Sequence, residues 1–296
     1  MATPHRPVRS VLYIPGAKDR ALHKARSLPV DAIIFDLEDA VAPSEKANAR
    51  AILSAALAEG GYGARMKIVR INGLDTPWGA EDLGHFAAAK PDAILIPKVE
   101  TVAQVAQVAD ALAAAGARDT EIWAMMETPA GILNANALAH APGLTGFVLG
   151  TNDLAKELGC RFRADRLPMQ VALQTCMLAA RAAGIVCVDG VYNAFKDTDG
   201  LRAECEQGRD LGMDGKTLIH PAQVDIANEV FAPGTEEIDL ARRQIEAFKV
   251  AEAAGEGVAV VDGKIVENLH VATATALLAK ADAISALAEL TDSEAS

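Results

Sequence analysis

Two short apolar runs each stop on an acid. "IWAMME" ends at Glu127 and "GFVLGTND" ends at Asp153. Two carboxylates brought together repel, and one is forced to keep its proton unless a cation lies between them. A hard divalent ion removes that conflict, since Mg²⁺ takes one or two carboxylates and leaves its other positions to water and substrate. Helix capping is the competing reading, because "ETPAG" and "TNDLAKEL" both open helical patterns. Spacing along the chain leaves both readings open. Arg70 stands inside the strand pattern "KIVRING", where a charge is costly unless paired. Either it makes a buried ion pair with Asp36 or Glu38, or it clamps a carboxylate or an oxyanion; its place at a strand end favours the clamp. The stretch "PGAKDRALHKAR" concentrates Lys18, Arg20, Lys24 and Arg26 on an acidic chain. Gly16 permits close backbone approach and a helix follows, so a phosphate fits there, nearest Lys18 and Arg20. A solvated amphipathic helix is the plain alternative.

These residues need a frame that brings them together. Eight apolar runs recur through residues 11–219: "VLYI", "AIIFDL", "KIVRI", "AILI", "IWAMM", "GFVL", "GIVCV" and "KTLI". Their aliphatic character is that of strands buried on both faces. Ala-rich helical patterns such as "VAQVAQVADALAAAG" lie between them. Strand and helix alternating eight times predicts an α/β (β/α)₈ TIM barrel over residues 1–230. An open doubly wound sheet is the runner-up, but no G-x-G-x-x-G follows the first strand.

Active sites of such barrels lie at the C-terminal ends of the strands. That gathers Glu38, Asp39, Arg70, Lys98, Glu127 and Asp153 on one face, with Asp189 as a further candidate. Backbone N–H groups around Gly150, Thr151 and Asn152 are candidate anion donors. His220 reads as a structural strand-end residue, since no second His stands at metal-ligand spacing. Residues 231–296 form an extension: a helix over 235–254, a hairpin turning at Asp262-Gly263, and a last helix from about Asn268 to Leu290. It is too small to stand alone and is expected to pack on the barrel or on a neighbouring subunit, with "TDSEAS" fraying.

Composition narrows the partners. The net charge of −12 argues against nucleic acid and against an anionic membrane surface. Hydrophobic residues make up 51% but aromatics only 4%, so the core must be aliphatic. Cys160, Cys176, Cys187 and Cys205 show no paired spacing, as expected of free thiols in a reducing compartment. "MATPHRPVRS" lacks an apolar signal region. No stretch approaches the ~18 apolar residues of a membrane span. A cytoplasmic location is the expectation.

Taken together, "RSVLYIPGAKDR", "DAIIFDLEDAV", "VRING", "IPKVE", "METPAG", "LGTNDL", "DGVYNAF", "KTLIHPAQV" and "AFKVAEAAGEGVAVVDGKIVE" resemble the citrate lyase β-subunit-like and malyl-CoA lyase family of the HpcH/HpaI aldolase superfamily. The likeness runs in order along nearly the whole chain. "TNDLAKELG", "RAECEQGRDLGMDGKTLIHPAQ" and "VDGKIVENLH" are most similar to its (3S)-malyl-CoA thioesterase branch. The resemblance implies a TIM barrel working as a homotrimer or homohexamer on a CoA-thioester substrate. It implies Mg²⁺, or Mn²⁺ in its place, on Glu127 and Asp153, with Glu38 and Asp39 close to the metal. It further implies Arg70 at the substrate carbonyl and CoA over Lys18 and Arg20. Many lyases of the family carry "MID" in the extension, whose Asp reaches a neighbouring site; here "KIVENLH" puts Glu267 at that place. The implied activity is hydrolysis of (3S)-malyl-CoA to malate and CoA. The alternatives are carbon–carbon cleavage of malyl-, β-methylmalyl- or citramalyl-CoA, the reverse condensation, or service as a citrate lyase β subunit in a larger complex.

Overall fold

The computed structural model describes residues 6–294. Residues 1–5, part of the stretch read for a signal sequence, and residues 295–296 of the tail lie outside the described residues. Val8–Phe231 forms one compact unit; residues 6–7 and the segment from Ala232 onward form a second.

Within the first unit, all eight apolar runs become strands: β1 (Ser10–Pro15), β2 (Ala32–Asp36), β3 (Met66–Arg70), β4 (Ala93–Ile96), β5 (Glu121–Met126), β6 (Leu144–Leu149), β7 (Val186–Asp189) and β8 (Gly215–Leu218). Each pairs in parallel with the next, and β8 pairs with β1 to close the barrel. A closed ring has no edge strand, so no runner-up open sheet survives. The connecting helices are α1 (Asp19–Ala25), α2 (Lys46–Glu59), α3 (Gly79–Ala89), α4 (Val102–Ala114), α5 (Pro129–Leu133), α6 (Ala135–Ala139), α7 (Thr151–Leu158), α8 (Gln170–Ala183), α9 (Thr198–Asp210) and α10 (Val224–Val230).

The strands are apolar on both faces because both are buried. Val11, Ala32, Ile34, Ile68, Leu95, Trp123, Met125 and Val148 fill the barrel interior. Their sequence neighbours Leu12, Ile33, Phe35, Val69, Ile94 and Phe147 join the larger core between sheet and helices. That period-2 parity decides which strand-end side chains face the mouth. Start signals are local. Thr101 accepts from the Gln104 N–H while the Gln104 side chain accepts from the Thr101 N–H, a capping box that opens α4. Asp197 caps α9 through the Gly200 N–H.

In the second unit, α11 (Thr235–Ala253) is followed by β9 (Ala259–Val261), β10 (Lys264–Val266) and α12 (Asn268–Glu294). Asp262 and Gly263 both adopt positive φ, 49° and 73°, the geometry of the tight turn that Asp-Gly favours. Helix α12 runs through the expected fraying point at 291 as far as Glu294. It also corrects the membrane reading: Asn268–Leu290, an apolar and largely exposed helix, is long and apolar enough to cross a membrane by length and composition. Single helices of this kind also occur in proteins that never meet a membrane. Lys280 and Asp282 stand among many alanines in this helix and obscure its apolar character.

Inside the barrel, the Trp123 indole lies on Gly146 of the neighbouring strand; a methyl group at position 146 would sit 2.6 Å from two of its ring carbons. Gly146→Ala should therefore lower stability by about 1–3 kcal/mol through overpacking. Denaturant unfolding checks this, and an unchanged midpoint would refute the close packing.

Candidate active site

The barrel mouth is built around a buried arginine. Arg70 ends β3 directly opposite Asp36 of β2 in the strand register. Its Nε and Nη2 donate to the two Asp36 carboxylate oxygens at 2.7 Å each. Its Nη1 faces Glu38 Oε2 at 2.8 Å and Asp39 Oδ2 at 3.3 Å. The Tyr13 ring packs on the guanidinium at 5.0 Å. Burial opposes the charge on Arg70, but Asp36 and Glu38 hold it protonated well above the ordinary range. The ion pair with Asp36, given the lesser weight in the sequence, is what the structure contains. Nε and Nη2 are spent there, and Nη1 is held by Glu38 and Asp39.

The contacts continue around the rim. Lys98 Nζ donates to Glu38 Oε1 at 2.7 Å, and the Lys98 N–H donates to Glu127 Oε1 at 2.8 Å. Lys98 adopts φ 49°, a left-handed conformation that side chains other than Gly seldom take. That bend turns its amide toward Glu127. Such strain persists only where the surroundings fix it, and it collects at functional sites.

Glu127 is nearly inaccessible, at 1% exposure. Burial pushes its carboxyl up to about 7, against the lowering by the Lys98 amide and Arg70. It does not cap a helix, because Thr128 does so, accepting the Gly131 N–H at 3.0 Å. Asp153 is no cap either: it lies in the first turn of α7, whose N-cap is Gly150 without a side-chain bond. Gly150 serves Glu127 by having no side chain, since a Cβ there would collide with Glu127 Cβ and Oε2.

Glu127 and Asp153 line one cavity of about 370 Å³ together with Asp36, Asp39, Arg70, Gly150, Thr151 and Asn152. Tyr13, Met125, Leu149, Val191 and Ile219 supply its apolar walls. The N–H groups of Thr151 and Asn152 fall in the first turn of α7, where helix geometry leaves amides without an intrahelical acceptor. Gly150 differs from expectation: its N–H is spent on the Met126 carbonyl at 3.1 Å, so it cannot also hold a substrate carboxylate.

Other expected residues lie elsewhere. Lys18 and Arg20 are exposed and do not line this cavity. Asp189 is fully buried on the outward face of β7, bound to Arg166 and Lys216. Glu267 is an exposed residue of the second unit, its N–H donating to His270 Nδ1 at 3.0 Å. His220 Nδ1 accepts the Ala222 N–H at 3.1 Å, a structural cap.

Among the described residues no three or more His, Cys, Asp or Glu side chains gather as a ready metal-ligand set. Two carboxylates on one cavity still suit Mg²⁺, which needs no more than one or two from the protein. The Glu127 carboxyl, wedged against Gly150 and raised by burial, is the kind of group that a cation would return to its ionised form.

The HpcH/HpaI aldolase/citrate lyase family model matches residues 9–221. The chain belongs to this family. Among curated family members it is 64% identical to the (3S)-malyl-CoA thioesterase of Cereibacter sphaeroides, over 97% of this chain and 99% of that one. It is 34% identical to the citrate lyase subunit beta of Escherichia coli, over 93% of each. Of the solved family structures, CitE from Mycobacterium tuberculosis in complex with magnesium, acetoacetate and coenzyme A superposes with a TM-score of 0.76 at 28% identity, covering 94% of this chain and 98% of that one.

The sequence names Asp36 as a structural partner of Arg70, but it passes over Tyr13 and the bend at Lys98. Asp36 is in phase with Ala32 and Ile34, so its inward direction was available from period 2. Tyr13, in phase with Val11, was equally available. The left-handed turn at Lys98 left no sequence signal.

A buried carboxyl with no cation costs stability once it ionises. Its folded value lies above the unfolded one, so the penalty is full above about 7 and relieved as pH falls toward the unfolded value near 4.5. In metal-free protein at pH 8, Glu127→Gln should be the more stable form, by about 3 kcal/mol at most. The advantage should shrink steadily between pH 7 and 4.5. Thermal melts of both proteins across that range measure it, and a pH-independent difference would contradict the burial argument.

Proposed function

We propose that this chain hydrolyses (3S)-malyl-CoA to malate and CoA, with Mg²⁺ held by Glu127 and Asp153; Mn²⁺ suits the same oxygen ligands. What carries the reading is full-length identity of 64% to a (3S)-malyl-CoA thioesterase, joined to a strand-end cavity that contains both acids. A solved relative in complex with magnesium and coenzyme A supports the metal and a CoA-thioester substrate.

The cavity's own groups divide the work. Thr151 and Asn152 amides, at the positive end of α7, receive the malyl carboxylate. Arg70, fixed by Asp36, would offer Nη1 to the thioester oxygen in exchange for Asp39 and stabilise charge as it develops there. A bound divalent cation supplies Lewis-acid charge and orients the hydroxy acid. Water attacks the thioester carbon, the carbon–sulfur bond breaks, and CoA leaves as the thiol. Asp39, exposed beside the Arg70 Nη1, is positioned to take the proton from that water, with Glu38 tuning Arg70. Glu267, brought by the extension of a neighbouring subunit, is the second candidate for proton transfer. Lys18 and Arg20 remain candidates for the CoA phosphates outside the cavity.

Purified protein incubated with (3S)-malyl-CoA and Mg²⁺ should release free thiol without glyoxylate. Glyoxylate in stoichiometric amount would replace this reading with carbon–carbon cleavage. Glu127→Gln and Asp153→Asn should each lower the metal-dependent rate by about a hundredfold or more, as expected when several kcal/mol of metal charge stabilisation is lost. Full activity in either variant would remove that residue from the metal site.

The enzyme acts in the cytoplasm on this reading, consistent with four free cysteines. It assembles as a homotrimer or homohexamer. Among the described residues of the unit from Ala232 onward, the buried apolar cluster of Ala251, Ala259 and Val266 is small, and Val250, Val260, Ile265 and Leu269 are exposed. So little core calls for packing against something larger, the barrel or a neighbouring subunit. Light scattering on a sizing column should give a trimer or hexamer mass, and a monodisperse monomer with full activity would refute the assembly.

A further inference from the structure

Lys46 is the first residue of α2, yet it is only 6% exposed. Two features of that position count against a lysine. A cation at a helix N-terminus meets the positive end of the helix dipole, and burial strips an ammonium of its water. Burial pulls the Lys46 amine below the ordinary lysine range, although Asp36, Glu38, Asp82 and Asp39 oppose it. An apolar side chain of similar volume would fill the space without either cost.

What the ammonium holds accounts for its place. Nζ donates to the Leu37 carbonyl at 2.9 Å and to the Glu38 carbonyl at 2.7 Å. It also lies over the Trp78 ring, 5.5 Å from its centroid. Both carbonyls belong to the loop between β2 and α2. The peptide joining Leu37 to Glu38 is therefore bonded on both sides, its oxygen to Lys46 and its N–H to Asp36 Oδ1 at 2.9 Å. The next peptide, joining Glu38 to Asp39, is held through its oxygen by the same ammonium.

These two peptides carry the acids that meet Arg70 Nη1, Glu38 at 2.8 Å and Asp39 at 3.3 Å. Glu38 also receives Lys98 Nζ at 2.7 Å. Lys46 itself does not line the cavity, so any effect it has on chemistry passes through the loop. We propose that Lys46 is a positioning residue for the thioester reaction: by fixing the peptides on either side of Glu38, it sets Glu38 against Arg70 Nη1 and places Asp39 to yield that nitrogen to the substrate.

This role rests on the thioesterase reading, and the two fail in different proteins, the reading in wild type and the role in the variants. Lys46→Met keeps the volume and removes the donors. Lys46→Arg keeps the charge and donors at a larger volume. With (3S)-malyl-CoA and Mg²⁺, Lys46→Met should lose about a hundredfold in kcat, the scale of a misplaced catalytic group. KM should change little, because Arg70 acts on charge that develops in the transition state. Lys46→Arg should recover part of the loss, whereas a role in packing alone predicts that Met is tolerated better than Arg. Hydrogen exchange of the substrate-free proteins reads the loop without turnover, and the Glu38 and Ala40 amides should exchange faster in Lys46→Met. If that variant does not fold by circular dichroism, Lys46→Gln, polar but too short to span both carbonyls, takes its place. Unchanged kcat, unchanged exchange at Glu38, or a Met variant more active than the Arg variant overturns the proposal. Thiol and glyoxylate are both measured, so carbon–carbon cleavage in wild type would replace the thioesterase reading and leave the comparison of variants intact. A wild type that forms neither product overturns that reading and this role with it.

Discussion

The mouth of this barrel depends on one buried ion pair. Arg70 closes β3 with its guanidinium inside the barrel, at 5% exposure. A charge there survives only if its partners are fixed. Asp36 fixes it from the adjacent strand with two parallel bonds. Because the two residues are in register, closing the β2–β3 ladder brings them together. Asp36 has further duties, since its oxygens accept the Glu38 and Ala40 N–H groups. The loop bearing Glu38 and Asp39 is therefore shaped by the same carboxylate that neutralises Arg70. Removing Asp36 would strip the arginine of its two parallel bonds and free the Glu38 and Ala40 N–H groups together.

From this pair the polar contacts pass strand by strand, through Glu38 and the Lys98 ammonium on the fourth loop to the Lys98 amide and Glu127 at the end of β5. The Gly150 N–H then ties the start of α7 to the Met126 carbonyl, which carries the order to Thr151, Asn152 and Asp153. Polar networks of this kind are stable only when nearly every member is satisfied. Each conformational oddity of the region serves that requirement. Lys98 accepts a left-handed backbone to present its amide, and position 150 is glycine because the Glu127 side chain occupies the space of a Cβ.

Much of this was readable in the chain. Aliphatic runs of even spacing announced the strands, and their endings announced which residues would meet at the mouth, because barrel closure turns order along the chain into a ring. What the chain left open was the division of labour within that ring. Whether Arg70 faces a ligand or a neighbour depends on the β2–β3 register, which no local pattern encodes. Asp189 illustrates the opposite case. Val186 and Val188 point inward, so parity alone sends Asp189 outward to Arg166 and Lys216. Treating every strand-end acid as a mouth residue overlooked that alternation. The helix-capping alternative for Glu127 was also decidable, since the Thr-Pro that follows it is itself a cap and first-turn pair.

The two buried charge clusters differ in a way that bears on function. On the outward side of β7 and β8, Arg166 and Lys216 meet Asp189 and Glu204, and charge is balanced. At the mouth, Arg70 and Lys98 face Asp36, Glu38, Asp39, Glu127 and Asp153, a surplus of three negative charges when all are ionised. An acyl-CoA thioester of a dicarboxylic acid is itself strongly anionic. It could not settle against such a surface without a cation from outside the chain, because field focusing in a low-dielectric cleft magnifies the repulsion. Burial, with Glu38 adding to it, already makes Glu127 hold its proton to about 7. A divalent ion between Glu127 and Asp153 would reverse that logic, ionising the first acid and giving the substrate's own oxygens a positive partner. On the proposed reading the acidic surplus would favour metal-assisted binding, and that surplus is set by the folded network around Arg70.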